Sequence, residues 1–445
     1  MPKPPPYLSG NYAPVPDEIT SYELMTEGTI PAELTGWYLR NGPNPHDAEA
    51  GHWFAGDGMV HGVRLENGTA VSYRNRWVRT ATFLEGRRPN RTDGVEDLAA
   101  GTANTHVVRH AGRTFALVES SWPYELETET DLATIGPYTF DGLLKTPMTA
   151  HPKVCPTTGD MHFFGYRATS APYLTYHRAD ADGNLVLSRP VDEVGPTMMH
   201  DFALTAGHVV FMDLPIVFNL ALAREGNRLP YRWDDNHQAR LGVLDRDNPH
   251  GAIRWFDIGS CYVFHTLNAH DDGNKIVLTV VRYPELWRDS AEFDQPGTLW
   301  RWTIDLADGK VSEEQLDDRD CEFPRIDDRL AGLNARYGHT VTSAREESGG
   351  LLLRYDLHTG NALTHDFGPG RRPSEAAFAP ADDQPGGAGW LISYVHDEST
   401  DTSDLVILHA ADITAAPVAT IHLPRRVPFG FHGNWLPDPK ASANS

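Results

Sequence analysis

The chain of 445 residues is 40% apolar and 22% charged, which suits one large core or two to three ordinary domains and excludes a disordered or fibrous protein. Its formal net charge of −23 provides no cationic footprint for a phosphate backbone and argues against nucleic acid as a partner. Three cysteines, Cys155, Cys261 and Cys321, stand far apart without a Cys-x-x-Cys pair, so neither a disulfide framework nor a thiolate zinc site is expected and a reducing cytoplasm is the simplest home.

The chain opens on Met1-Pro2-Lys3-Pro4-Pro5-Pro6-Tyr7, prolines where a signal peptide needs an apolar run. No later segment approaches the ~18 uninterrupted apolar residues of a spanning helix. Residues 1–14 and 438–445 are expected to be flexible ends of a single domain covering 1–445. In between, nearly every predicted element is a strand. Val60-His61-Gly62-Val63-Arg64-Leu65 runs into Asn67-Gly68, the pair that supplies the positive φ angles of a two-residue hairpin turn. Thr114–Val118 follows, then Leu174-Thr175-Tyr176-His177 entering Asp182-Gly183-Asn184. His208–Met212 and Ile276–Val281 are further apolar runs bounded by Gly, Asp, Asn or Pro. Leu299–Trp302 leads to Asp308-Gly309-Lys310, and Leu352–Asp356 to Thr359-Gly360-Asn361. Long helical periodicity is absent. Degenerate hairpins at irregular spacing predict an all-β chain and fit a β-propeller, with a sandwich or two stacked β domains as the other reading. At about 60 residues per loop-decorated blade the length gives roughly seven blades.

Motifs absent from the chain narrow its chemistry. There is no His-Glu-x-x-His, no Gly-x-Ser-x-Gly, no phosphate-binding Gly-x-x-x-x-Gly-Lys-Ser/Thr and no Gly-x-Gly-x-x-Gly opening a helix. Metalloprotease, serine hydrolase, nucleotidase and dinucleotide oxidoreductase readings therefore lack support. Four histidines stand out among 21 by their context: His151 in Ala150-His151-Pro152-Lys153, His200 in Met199-His200-Asp201-Phe202, His265 in Phe264-His265-Thr266-Leu267-Asn268-Ala269 and His432 in Gly430-Phe431-His432-Gly433-Asn434-Trp435. Each stands where an apolar or strand-like run meets small or turn-forming residues, which is where a propeller strand meets the axis. Neutral imidazole is the commonest protein metal ligand, and distant imidazoles share an ion only on a scaffold that keeps returning to one axis. His358, in Leu357-His358-Thr359-Gly360, reads instead as a turn residue.

At these residues the chain resembles the carotenoid cleavage oxygenases, a family with retinal-forming, apocarotenoid-cleaving and stilbene-cleaving members. Gly36-Trp37-Tyr38-Leu39-Arg40-Asn41-Gly42-Pro43-Asn44-Pro45 and Trp53-Phe54-Ala55-Gly56-Asp57-Gly58-Met59-Val60-His61 are similar to the family's entry signature. Asn104-Thr105, the four histidine motifs and Glu322-Phe323-Pro324-Arg325-Ile326 continue it, so the resemblance spans residues 15 to 437. It implies a seven-bladed β-propeller whose loops form a cap over an axial non-haem Fe(2+), one per chain, held by His151, His200, His265 and His432. It further implies that Glu119, Glu322 and Glu375 accept hydrogen bonds from ligand imidazoles, serving His200, His265 and His432 in an order left open and leaving His151 without a carboxylate. Carboxylates in that role fix tautomer and ring plane and raise ligand basicity. Four imidazoles on an octahedral ion leave room for O2. Affinity alone favours copper or zinc, so iron must be selected by geometry and supply, and zinc has no redox chemistry.

The implied reaction is oxidative cleavage of an alkene C=C by O2 to two carbonyl products, with no external reductant and no acid–base residue beyond the metal site. The expected partners are a small hydrophobic alkene and O2, with peripheral membrane contact and oligomeric state left open. Trp122, Leu214, Phe218, Phe264, Phe431 and Trp435 are the candidate walls of a substrate tunnel, from their sequence proximity to the metal motifs. The apolar stretch from Leu214 to Leu222 is a candidate tunnel mouth or lipid-contacting patch. In the stilbene-cleaving branch a lysine precedes the first of the three glutamates and contacts the substrate phenol. This chain has Val118 there, which favours a carotenoid or apocarotenoid over a stilbene or phenylpropene. A propeller that binds without chemistry is the third reading.

Overall fold

The computed structural model describes residues 5–46, 51–89, 96–342 and 349–439. Its strands group into seven sheets of four to six strands and one two-stranded ribbon, Ile216–Phe218 with Tyr231–Trp233. The sheets are antiparallel and follow chain order, each one blade of a propeller. Blades 2 to 6 begin at their axial strands: His106–His110, Lys153–Val154, Ala203–Leu204, Tyr262–Asp272 and Glu322–Arg325. Several of these axial strands touch those of the next blade, as Tyr262–Asp272 does with both Ala203–Leu204 and Glu322–Arg325.

The ring closes by exchanging ends. Blade 1 is built from Gly36–Pro43, Gly58–Glu66 and Thr69–Trp77, but its axial strand is Gly433–Pro437 from the far end of the chain, registered Gly36 to Pro437. Blade 7 receives the N-terminal strand Thr26–Gly28 on its outer edge, against Ala419–His422. Each closing sheet thus contains both ends, and no axial edge is left unpaired at the seam.

The apolar cores lie between blades rather than at one centre. Leu39, Val60, Val107 and Tyr124 fill the first interface, Phe115, Leu144 and Phe163 the second, and Phe164, Phe202 and Phe211 the third. This follows from strand alternation: both faces of each blade are covered, so successive side chains feed opposite interfaces. Asn67 and Gly68 have φ of 46° and 79°, the expected two-residue turn.

The described parts of both termini contact the propeller. Pro6–Leu8 and Gly10–Tyr12 form short 3-10 turns, and Tyr12 packs edge-on to Trp53 and Phe429 with ring centroids 5.1 and 5.0 Å away. An aromatic ring and the buried Asn11, whose carbonyl accepts from Phe429 N, hold this segment despite its prolines. At the other end Asp438 accepts from Arg64 Nη1 at 2.6 Å. Residues 1–4 and 440–445 lie outside the described residues. No helix among the described residues is long and apolar enough to cross a membrane.

Candidate metal centre

The propeller brings the four histidines to one point. His151, His200 and His432 precede the axial strands of blades 3, 4 and 1, and His265 lies within that of blade 5. One ring nitrogen from each falls within 4.8 Å of all the others. The strand carrying His265 slips register against its neighbour between Val263 and Thr266 and again before Asn268. Such bulges re-aim a side chain, here toward the axis.

Three carboxylates stand behind the ring, and the structure resolves their pairing. Glu119 Oε2 lies 2.5 Å from His200 Nδ1, Glu322 Oε2 2.6 Å from His265 Nδ1 and Glu375 Oε1 2.9 Å from His432 Nδ1. With Nδ1 turned outward, Nε2 of each ring faces the centre. The remaining carboxylate oxygens are also held: Tyr166 donates to Glu119 Oε1 at 2.6 Å, Tyr283 to Glu322 Oε1 at 2.8 Å, and Gly433 N and Arg325 Nη1 to Glu375 Oε2 at 2.7 and 3.0 Å. No carboxylate among the described residues reaches the His151 ring.

These residues fit a cation. His265 Nε2 is buried without a hydrogen-bond partner. His151 Nε2 and His200 Nε2 face each other at 2.9 Å, lone-pair atoms converging on shared space. Burial, reinforced by the neighbouring imidazoles, pushes His151 and His432 well below the ordinary histidine range and keeps them neutral, as ligands must be. Burial opposes protonation of His265 too, but the Glu322 charge outweighs it and makes this ring more basic. A 4.8 Å span approximates two metal–nitrogen bonds of ~2.1 Å after a small inward movement. With a divalent ion, the three glutamates and Arg325 bring the cluster to formal neutrality, which meets the requirement that buried charges be compensated.

The site opens into a cavity of about 1450 Å³. Phe54, Phe218, Phe264, Phe293, Phe323 and Phe431 are among its walls, and His200, His265 and His432 reach it. Capping segments include the 3-10 turn Trp53–Ala55, the short helix Ala81–Glu85 and the ribbon with its helix Leu220–Arg224. Of the six candidate tunnel residues, Phe218, Phe264 and Phe431 line this space. Trp122, Leu214 and Trp435 do not, because each packs among the apolar side chains of a core cluster instead. Trp122 donates to Leu144 O at 3.2 Å, and Leu214 is 2% exposed. Val118 does line the cavity.

Residues 12–437 match the family model described as retinal pigment epithelial membrane protein. A carotenoid cleavage oxygenase of Mycobacterium tuberculosis is 38% identical, the match covering 97% of each chain. The chain belongs to the carotenoid cleavage oxygenase family. Among solved members of this oxygenase fold, lignostilbene dioxygenase of Pseudomonas brassicacearum superposes with a TM-score of 0.86 at 30% identity, over 98% of this chain and 100% of that one. A variant of Synechocystis apocarotenoid oxygenase gives 0.85 at 28% identity, over 96% and 98%.

Several residues that brace this family member's site had no individual signal in the sequence. Tyr166 and Tyr283 look like ordinary strand aromatics until the fold turns their hydroxyls onto glutamates. Asp201, buried beside His200, accepts from Thr266 N at 2.8 Å and pairs with Lys153 at 2.8 Å, joining the segments that carry His265 and His151. Its adjacency to a ligand in Met199-His200-Asp201-Phe202 was the available clue. Phe323, at φ 53°, stacks on His265 with centroids 5.7 Å apart. A bulky residue in that region is strained, and its amide donates to Glu322 Oε2 at 2.5 Å.

Proposed function

We propose that this chain binds one iron(II) through Nε2 of His151, His200, His265 and His432. It uses O2 to cleave a C=C bond of a carotenoid or apocarotenoid into two carbonyl products. The observation that carries this reading is the convergence of four imidazoles, three of them buried, at the foot of a cavity of about 1450 Å³ with aromatic walls. When bound, iron(II) supplies the O2 activation that a redox-silent ion such as zinc lacks. Each product keeps one oxygen atom from O2, and the alkene provides the electrons, so no reductant is consumed.

The protein's own residues do the positioning. Glu322 and Glu375 fix the imidazoles of His265 and His432 in the Nδ1–H tautomer, and the Glu119 carboxylate lies against His200 Nδ1. Tyr166, Tyr283 and Arg325 occupy the other carboxylate oxygens, so none of the three glutamates is free to carry a proton to substrate. The phenylalanine walls exclude water and offer flat faces to a conjugated chain.

The cavity volume exceeds the ~300–1,000 Å³ of ordinary small-ligand pockets, which supports a long substrate. Val118 on its wall supports the same choice, since it offers no charge to a phenolate. The second reading, cleavage of a stilbene or phenylpropene, draws on the similarity to lignostilbene dioxygenase. Three unpaired buried thiols support a reducing compartment, and Leu220, 52% exposed on the cavity rim, supports passing contact with a lipid surface. A substrate panel decides between the readings: apocarotenoids turned over while 4-hydroxystilbenes are not is the expected result, and the reverse pattern overturns the carotenoid assignment.

A further inference from the structure

His151 differs from the other three ligands in two respects. No carboxylate among the described residues braces its ring, and it alone of the four does not reach the cavity. What holds it must act through its backbone. Ala150, immediately before it, accepts a hydrogen bond from His106 Nδ1 at 2.8 Å. The His106 ring lies 5.9 Å from that of His151 and 5.0 Å from that of His432, behind both.

The protons along this path are fixed by their partners. Arg325 Nη2 can only donate, and it meets Asn434 Oδ1 at 2.5 Å, so the Asn434 amide nitrogen faces the other way. That nitrogen donates to Val107 O at 2.6 Å and to His106 Nε2 at 3.0 Å. His106 Nε2 is therefore an acceptor, and Nδ1 carries the proton given to Ala150 O, an assignment forced by the network. Arg325 also donates to Glu375 Oε2 at 3.0 Å, and Glu375 holds His432. One unbroken polar path thus runs from the Ala150 carbonyl, next to His151, through His106, Asn434, Arg325 and Glu375 to His432.

We propose that His106 is a positioning residue for the metal centre, replacing in the blade 2 strand the carboxylate that His151 lacks and coupling the placement of His151 to that of His432. It touches neither metal nor cavity. Its role is to keep Ala150 O, and so the His151 ring, at a set distance from the His432 segment. The proposal rests on the four-histidine metal reading.

Cobalt(II) alone serves as the probe. His106→Leu keeps much of the bulk and loses both hydrogen bonds, whereas His106→Gln supplies a donor and an acceptor over a similar span. Three measurements are made on the full chain: the Co(II) visible absorption spectrum, the rate of Co(II) release to a chelator, and the Tm of apoprotein. His106→Leu is expected to release cobalt roughly tenfold faster or more, the scale of lost outer support at metal sites, with an altered spectrum. His106→Gln is expected to restore both. His106→Leu matching wild type in rate and spectrum overturns the proposal. So does His106→Gln failing as badly as His106→Leu with an equal fall in apoprotein Tm, which would mark a purely structural residue. Wild-type protein that takes up no cobalt overturns the metal centre itself.

Discussion

Glu375 and His432 stand 57 positions apart in sequence and 2.9 Å apart in space, the same sequence step that separates His265 from Glu322. Each pair spans one blade, so neighbouring axial segments supply a ligand and its carboxylate. The centre is thereby tied to the closure of the ring, since Glu375 belongs to blade 7 and His432 leads into the C-terminal strand of blade 1.

Ligand and carboxylate should separate on substitution. His265→Ala is expected to lose metal after desalting, leaving the partly buried Glu322 without its partner. Glu322→Gln, which keeps a hydrogen-bond acceptor but not the charge, should retain metal with about 10–100-fold weaker affinity. Elemental analysis and Co(II) titration read the two effects, and equal metal in wild type and His265→Ala would remove His265 from the ligand set.

Arg325 is predicted to be the costliest single loss outside the ligands. Its side chain is 11% exposed and faces Glu375 at 1%, so Arg325→Met strands a buried carboxylate. Removing one partner of such a pair costs about 3–5 kcal/mol, which urea unfolding of apoprotein should show. An unchanged unfolding midpoint would mean that Glu375 is compensated elsewhere.

Acid should weaken the fold before it protonates most carboxylates. Burial, reinforced by Arg246 and Arg167 respectively, pushes His162 and His177 down to about 3. Their unfolded value is near 6.5, so below that pH the unfolded chain binds protons that the folded chain refuses. The stability they support is complete above pH ~6.5 and falls as pH drops toward 3, by up to ~1.4 kcal/mol per unit for each. Urea midpoints at pH 7.5 and about 5 test the slope. His162→Gln should flatten it, and a slope untouched by that change would place the acid sensitivity in other groups.

The hydroxyls of Tyr166 and Tyr283 each hold one glutamate oxygen, and Phe replaces either without changing ring packing. Tyr283→Phe should cost about 0.5–1.5 kcal/mol in metal binding, up to roughly tenfold in affinity, and leave the four ligands in place. Titration of apoprotein with Co(II) measures it; a loss as large as that of His265→Ala would show that the hydroxyl does more than orient Glu322.

Much of the site was legible because its chemistry depends on residue types in fixed local contexts. The histidine motifs named the four converging side chains, and the resemblance named three glutamates, all of which the propeller places behind them. Their pairing was not legible, because it depends on which blades are neighbours and on bulges such as the one around His265. Tunnel residues fared worse. Proximity in sequence to a ligand does not fix which way a side chain faces: Phe431 and Trp435 flank His432 closely, yet one lines the cavity and the other packs between blades. The bracing network of His106, Arg325 and Asp201 is non-local, joining residues up to 328 positions apart. No periodicity records such contacts.

The central claim is that this centre splits O2 between two carbonyl products. Anaerobically purified protein loaded with iron(II), supplied with an apocarotenoid under 18O2, and quenched with immediate reduction of the carbonyls to prevent exchange with water, gives the direct measurement. Mass spectrometry should find one 18O atom in each of the two products, in a reaction that iron(II) restores to apoprotein. Label in neither product, or products formed equally well without iron, would contradict it.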